Sequence, residues 1–400
     1  MTRSGNLHTD PEYVPGIAWA AHRGAGPDTA SKAEEIMNSI LSPGKFRITG
    51  SNPDIILFMS GGSERRALEL ADPARPVLLL SIRGNNAYAA ATEVMAWMVN
   101  HNRIAVLSDV TDAAESGLIK RWNMAAAAWE KLRGTRAGLI GTVSEWLVAS
   151  DVSAETFYQR FGVELKGVPW AGIPDYSGED PDTVLMARFS GQHPEGLDEA
   201  AKVLSLLRKT IDKERLDALA VECFSLVQER KVTACLALAQ LGSEGTVAAC
   251  EGDLASMAGM MAGKALTGKV PWMANTTRLT DSTLVLSHCT APFDFVSNVE
   301  LPSHYETGWS LAVDGSINAR EVTVFRFSER LDRAFIAEGK VTGRPRLADA
   351  CRTQVELALP QESIRLLREK PLGNHLLMLA GSQSQLLQLA FRYRGIEILA

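Results

Sequence analysis

Long apolar runs, paired cysteines and a basic face are all missing from this chain, and each absence removes a class of protein. No apolar run approaches 18 residues, so no membrane span is expected. The N-terminal stretch 1–16 has no apolar h-region; it reads as a polar lead-in rather than a secretory signal, and the expected location is cytoplasmic. A formal net charge of −6 and a pI near 5.8 argue against nucleic acid as a partner, since phosphate binding wants a basic face. The five cysteines, Cys223, Cys235, Cys250, Cys289 and Cys351, are odd in number and form no CxxC pair. Neither a zinc knuckle nor a disulfide framework is indicated, and buried thiols in a reducing compartment are expected. The fingerprints GxSxG, Walker and GxGxxG are absent from their required contexts, so serine-hydrolase, P-loop and dinucleotide readings have no support.

What is present is an ordinary soluble composition, 46% hydrophobic and 22% charged, over 400 residues. That length calls for two or three domains. The first third alternates candidate strands (17–21, 54–60, 77–82, 103–108) with helical spacings (30–41, 64–71, 87–100, 113–132). Short apolar strands separated by helices imply a parallel sheet covered on both faces. The polar break Arg133-Gly134-Thr135-Arg136 marks a boundary, after which a second α/β series begins at 137–141. Beyond Pro292 the alternating runs WSLAVDG and REVTVFRF, with a turn at Asp314-Gly315, indicate a smaller antiparallel region. Gly373-Asn374-His375, followed by a helix to about residue 394, is expected to return to the second domain. The expected fold class is α/β: two doubly wound, Rossmann-like parallel-sheet domains (1–134, and 135–291 with 373–400) plus a C-terminal, mainly antiparallel β domain (292–372).

The stretch 247–290 concentrates the chemistry. Glu251 follows the apolar run VAAC and precedes a small-residue helix, with Asp253 where an N-cap acid belongs. Asn275 ends one further strand, His288 ends TLVLSH, and His375 stands in Gly-Asn-His. Oxygen and nitrogen donors at several strand ends are what a divalent metal site needs. Taken singly each has a plainer role, as a helix-start acid, a turn residue or a satisfied histidine. The turn Ser60-Gly61-Gly62-Ser63 precedes a helix, as an anion cradle or a plain βα loop does, and the loops Arg83-Gly84-Asn85-Asn86 and Ser144-Glu145-Trp146 add hydrogen-bonding groups of the kind a polyol site uses.

These residues match a known pattern. CEGD at 250–253, MAN at 273–275 and LVLSHCT at 284–290 resemble the L-fucose isomerase and L-arabinose isomerase superfamily, most closely its short fucose-isomerase-like members. SGGSE at 60–64, NNAYAAATEV at 85–94, GLIGTVSEWLVAS at 138–150, VECF at 221–224, CRTQ at 351–354 and GNH at 373–375 agree. The resemblance implies an aldose–ketose isomerase that works through a cis-enediol with a divalent ion, usually Mn²⁺. Its metal ligands match Glu251, His288 and His375, while the second carboxylate falls at Asn275. An amide lends an oxygen but carries no proton at neutral pH, so the partner of Glu251 in proton transfer is sought among Asp253, His288 and His304. The resemblance also implies a monosaccharide substrate and a homo-oligomer, a trimer or hexamer, with active sites between subunits. Arg23, Arg83, Asn86 and Trp146 are the expected substrate contacts, and the arginines suit an anionic sulfo- or phospho-sugar. Two other readings keep the site: an epimerase or aldolase using the same enediolate, and a sugar-binding relative in which Asn275 marks lost catalysis.

Overall fold

A computed structural model describes residues 13–192 and 194–399, so most of the polar lead-in, 1–12, lies outside the described residues. The chain divides into two compact units, residues 1–127 with 392–395 and residues 128–391 with 396–400.

In the first unit, β1 (Gly16–Ala20), β2 (Arg47–Ile48), β3 (Ile55–Phe58), β4 (Val77–Ser81) and β5 (Ala105–Asp109) form a parallel sheet in the order β2-β1-β3-β4-β5. The runs IILF and VLLLS are buried at every position, as strands between two helix layers must be. Asp54 pins the N-terminal end of the sheet. It is 2% exposed and accepts from the Gly16 N–H at 2.6 Å, the Tyr13 hydroxyl at 2.8 Å and Arg75 Nη2 at 3.0 Å. At the other end the strand order reverses around β1, and the loops after β1 and β3 diverge there to leave a crevice.

The second unit holds a four-stranded parallel sheet and a seven-stranded, mainly antiparallel one. β6 (Arg136–Ile140), β7 (Glu164–Val168), β8 (Ala218–Val221) and β9 (Val247–Cys250) are parallel in the order β7-β6-β8-β9. Then come β10 (Trp272–Leu279), β11 (Thr283–His288), the separate two-stranded pair β12 (Val296–Glu300) and β13 (Asp314–Ile317), β14 (Glu321–Phe327), β15 (Arg333–Gly343), β16 (Thr353–Ala358), β17 (His375–Ala380) and β18 (Glu397–Ile398). Because β14 pairs with both β17 and β15, six antiparallel strands close in the ring β14-β17-β10-β11-β16-β15, and β18 adds to β15. Each of the six strands thus has a ring neighbour on both sides, and β18 covers part of the stretch of β15 that β16 does not reach.

The α/β class with two parallel sheets and a C-terminal antiparallel sheet is what the sequence implied. The membership of three strands differs. β10, β11 and β17 were expected with the second parallel sheet and instead form half of the barrel ring. A continuous apolar run reports burial on both faces but does not say which sheet buries it. Where a helix is expected after His375, the chain instead runs on as the strand HLLMLA, apolar after its histidine, and the helix starts only at Ser384. The helix Leu254–Thr267 packs against both β9 and the barrel strands β14 and β17, which explains its small residues. A Cβ on Gly259 would run into the Leu377 side chain.

Candidate metal centre

Three strand ends supply the centre. Glu251 follows β9, His288 is the last residue of β11 and His375 the first of β17. The chain turns at Glu251 with φ 59°, a left-handed conformation uncommon for a residue other than glycine, and continues through Gly252 at φ 67°. A Cβ on Gly252 would collide with the Thr142 carbonyl, so the CEGD turn requires glycine there. A backbone held in such a region marks a position the surroundings dictate. Asp253 then caps the helix by accepting from the Ser256 N–H at 2.6 Å.

The turn delivers Glu251 Oε1 to within 3.6 Å of both His288 Nε2 and His375 Nε2, and the three donor atoms all lie within 4.8 Å of one another. Glu251 is 9% exposed, His288 3% and His375 0%. Both Nε2 atoms are buried with no hydrogen-bond partner. A buried orphan of that kind costs about 1–3 kcal/mol, so two aimed at one carboxylate call for something between them. A carboxylate oxygen and two imidazole nitrogens can hold a divalent first-row metal ion, and the residues fit one.

Behind the ligands stands a buried charge layer. His375 Nδ1 lies 2.8 Å from Asp253 Oδ2, which leaves Nε2 to face Glu251. This is the carboxylate–histidine arrangement that orients a metal ligand. Arg326, 1% exposed, reaches Asp253 Oδ2 at 3.4 Å, donates to Ser256 Oγ at 3.1 Å and the His375 carbonyl at 2.8 Å, and sends Nη2 to Ser150 Oγ at 2.7 Å. Gly373 has φ 149°, and a Cβ there would strike the Arg326 guanidinium, so the glycine of GNH makes room for that support. His288 is held at Nδ1, 3.0 Å from Thr290 Oγ1 and 2.9 Å from the Cys289 N–H. Donation to Thr290 leaves an Nε2 lone pair for an ion; acceptance from Cys289 turns an Nε2–H toward Glu251. The ring position is the same for both.

Electrostatics follow from these contacts. Burial alone would raise Glu251, but the two imidazoles outweigh it and hold the carboxyl far below its ordinary range. Asp253 is lowered in the same way, with Arg326 and His375 outweighing burial. Burial works against a charged His375, yet Asp253 and Glu251 lift it from 6.5 to about 9.

The other expected residues fall in different places. Trp146 is half exposed and donates from Nε1 to Glu251 Oε2 at 2.7 Å, fixing the carboxylate plane. Asn275 pairs with His375 across β10 and β17, but its Oδ1 accepts from Asn374 Nδ2 at 2.6 Å. Asp253 is fully buried with both oxygens engaged, a geometry for orienting His375 rather than exchanging protons with a substrate. His304 lines the cavity beside Glu251 and His288, and burial lowers its pKa. Arg23, Arg83 and Asn86 belong to the first unit. Arg23 and Asn86 line crevices of about 810 and 940 Å³ at the ends of its strands. Arg83 is ion-paired with Asp112 at 2.8 Å and Asp109 at 3.4 Å.

Sequence reasoning missed two groups of consequence. Arg326 was signalled by a charge at a buried position of the apolar strand EVTVFRF, which demands a partner. Glu306 sits in an irregular loop with no such signal. It lines the cavity, and burial, then the nearby Glu251, push its carboxyl up.

No family model matches the chain. Among curated proteins it is similar to the sulfoquinovose isomerases of Priestia aryabhattai and Priestia megaterium, each 25% identical over 177 residues, 42% of this chain and 40% of the relative. The sulfoquinovose isomerase of Alkalicoccus urumqiensis is 25% identical over 174 residues, 41% and 39% respectively. The chain thus spans about two fifths of the length of the curated relatives it matches. Their name agrees with a sugar-isomerase resemblance and singles out no branch of it.

Proposed function

We propose that this protein is a divalent-metal-dependent aldose–ketose isomerase acting on a monosaccharide, with an anionic sugar of the sulfoquinovose kind as the first substrate to test. The observation that carries the reading is the pair of buried, unpartnered Nε2 atoms aimed at Glu251. Glu251, His288 and His375 would hold the ion, with Mn²⁺ the metal the family resemblance implies. When bound, the ion supplies Lewis-acid polarisation of the sugar carbonyl and its neighbouring hydroxyl.

The remaining work falls to the chain. Interconversion moves a proton between C2 and C1, so one group must accept it and one must return it. Glu251 is kept ionised by its imidazoles, while Glu306, in the same cavity, is pushed toward its protonated form. Two carboxyls driven apart by their surroundings divide into base and acid. On this reading Glu306, with His304 beside it, takes the proton-transfer role that Asn275 cannot. Trp146 holds the second Glu251 oxygen and keeps it from rotating away.

The cavity offers about 20 Å³, room for one water-sized group and not for a sugar ring. The sugar therefore sits at its mouth, where Trp146 is exposed and Glu306 stands at the rim with its carboxyl partly buried. The crevice with Asn86 and the neighbouring Arg23 would supply further contacts from another copy in a homo-oligomer. The test is proton exchange in D₂O on sulfoquinovose, fucose and arabinose, with Mn²⁺ and then with EDTA. Metal-dependent deuterium entry at the carbon beside the carbonyl, with ketose formation, is expected. Tight Mn²⁺ binding with no exchange on any sugar would favour the second reading, a sugar-binding relative, which the amide at 275 supports.

A further inference from the structure

The five cysteines come from separate segments, yet all five line the one small cavity that Glu251 and His288 share. Cys223 and Cys250 are in direct contact, while Cys289 interacts with Cys235 and Cys351. The Cys223 and Cys250 Sγ atoms are 3.3 Å apart, at 6% and 3% exposure. The backbone sets this contact. Val221 and Cys250 are register partners on β8 and β9, and Cys223 lies two residues further on, where φ −90° and ψ −16° turn the chain back over the strand ends. A buried thiol usually packs as a small hydrophobe. Two sulfurs in contact, opening on a cavity that admits a water-sized molecule, are placed for more than packing.

We propose that Cys223 and Cys250 are a peroxide-sensitive pair whose reversible disulfide displaces Glu251 and weakens the centre's hold on a divalent ion. The second half of this proposal rests on the metal reading above; the first half does not. The step balances as two thiols and one hydrogen peroxide giving a disulfide and two waters. One sulfur attacks the peroxide, the O–O bond breaks, and a sulfenic acid and water result. The other sulfur then displaces the sulfenic oxygen as the second water, and the thiols supply both protons and both electrons. A disulfide holds its sulfurs about 2.0 Å apart, so the pair must close by roughly 1.3 Å. Cys250 is the residue before Glu251, so whatever share of that movement it takes is passed directly to the turn that carries Glu251. The turn that follows has little slack, since Glu251 is at φ 59° and Gly252 abuts the Thr142 carbonyl.

The experiment uses the full-length chain, reduced and then treated with hydrogen peroxide, with peptide mapping and a Mn²⁺ titration at each stage. The wild type is expected to form a Cys223–Cys250 link, to lose about tenfold or more in Mn²⁺ affinity, and to recover both on adding dithiothreitol. Cys223→Ser, with Cys223→Ala as a second variant, is expected to bind Mn²⁺ as the reduced wild type does and to be indifferent to peroxide. Cys351→Ser is expected to form the same link as the wild type. A link between other cysteines, or sulfinate without any link, overturns the pair. A Cys223–Cys250 link that leaves Mn²⁺ affinity unchanged overturns the displacement of Glu251. A link in a protein that binds no Mn²⁺ even when reduced overturns the metal reading while the thiol pair stands.

Discussion

Strand ends carry polar residues in both units, but the two units use them in opposite ways. In the first, the loops after β1, β3 and β4 set His22, Asn85 and Asn86 around an open crevice of about 940 Å³, all three exposed. In the second, Glu251 and His288 line a cavity of about 20 Å³, His375 stands beside them with Nε2 3.6 Å from Glu251 Oε1, and all three are backed by Asp253 and Arg326, themselves buried. A surface for a polyol needs groups that water can satisfy when the ligand is away, so it asks little of the residues behind it. A buried ion site has no such reserve, and its donors must be oriented by further charges that also need partners. On the proposed function, damage behind the candidate metal centre is expected to reach the fold, while damage in the crevice is expected to reach only binding.

The largest effect that can break this contrast is at Arg326. Arg326→Met leaves Asp253 buried beside an uncharged neighbour, and denaturant unfolding is expected to show a loss of about 3–5 kcal/mol. A loss under about 1 kcal/mol, the scale of a surface pair, would put the two regions on one footing. Next comes Asp253→Asn, which keeps the helix cap but weakens the hold on His375. Mn²⁺ affinity is expected to fall about 10–100-fold, read by calorimetry at fixed pH.

Acidity sharpens the comparison further. His375 is raised from 6.5 to about 9, so the metal-free protein gains stability from its protonated ring that is fully present below pH 6.5 and fades as pH rises through about 9. The same proton competes with an ion for Nε2. Mn²⁺ affinity is therefore expected to increase with pH up to about 9, by at most about tenfold per unit. A flat affinity between pH 6.5 and 9 would mean that Nε2 is not a ligand. The smallest effect belongs to the crevice. Asn86→Ala is expected to raise KM for the sugar several-fold, roughly the loss of one hydrogen bond, and to leave kcat and Mn²⁺ affinity alone.

The sequence carried the first unit well, because IILF and VLLLS between helical spacings have one good solution. It carried the candidate trio for a different reason: Glu251 and His288 stand at the ends of apolar runs, His375 begins one, and motif resemblance tied them together. The barrel was not legible. LVLSH and HLLMLA read as buried strands, but nothing local says that they pair with each other's neighbours across some 90 residues. Nor was the convergence of the cysteines, since five scattered small apolar positions look alike until the strands are paired. Of the two residues that sequence reasoning missed, Arg326 had a readable signal, a charge where the pattern of β14 demands an apolar side chain.

One titration reaches the centre of this account: Mn²⁺ added to the reduced protein, with free ion followed by electron paramagnetic resonance, for the wild type and Glu251→Gln. One ion bound per wild-type chain and none by the variant is the expected result. Equal binding by both, or none by either, would contradict a metal centre at Glu251, His288 and His375.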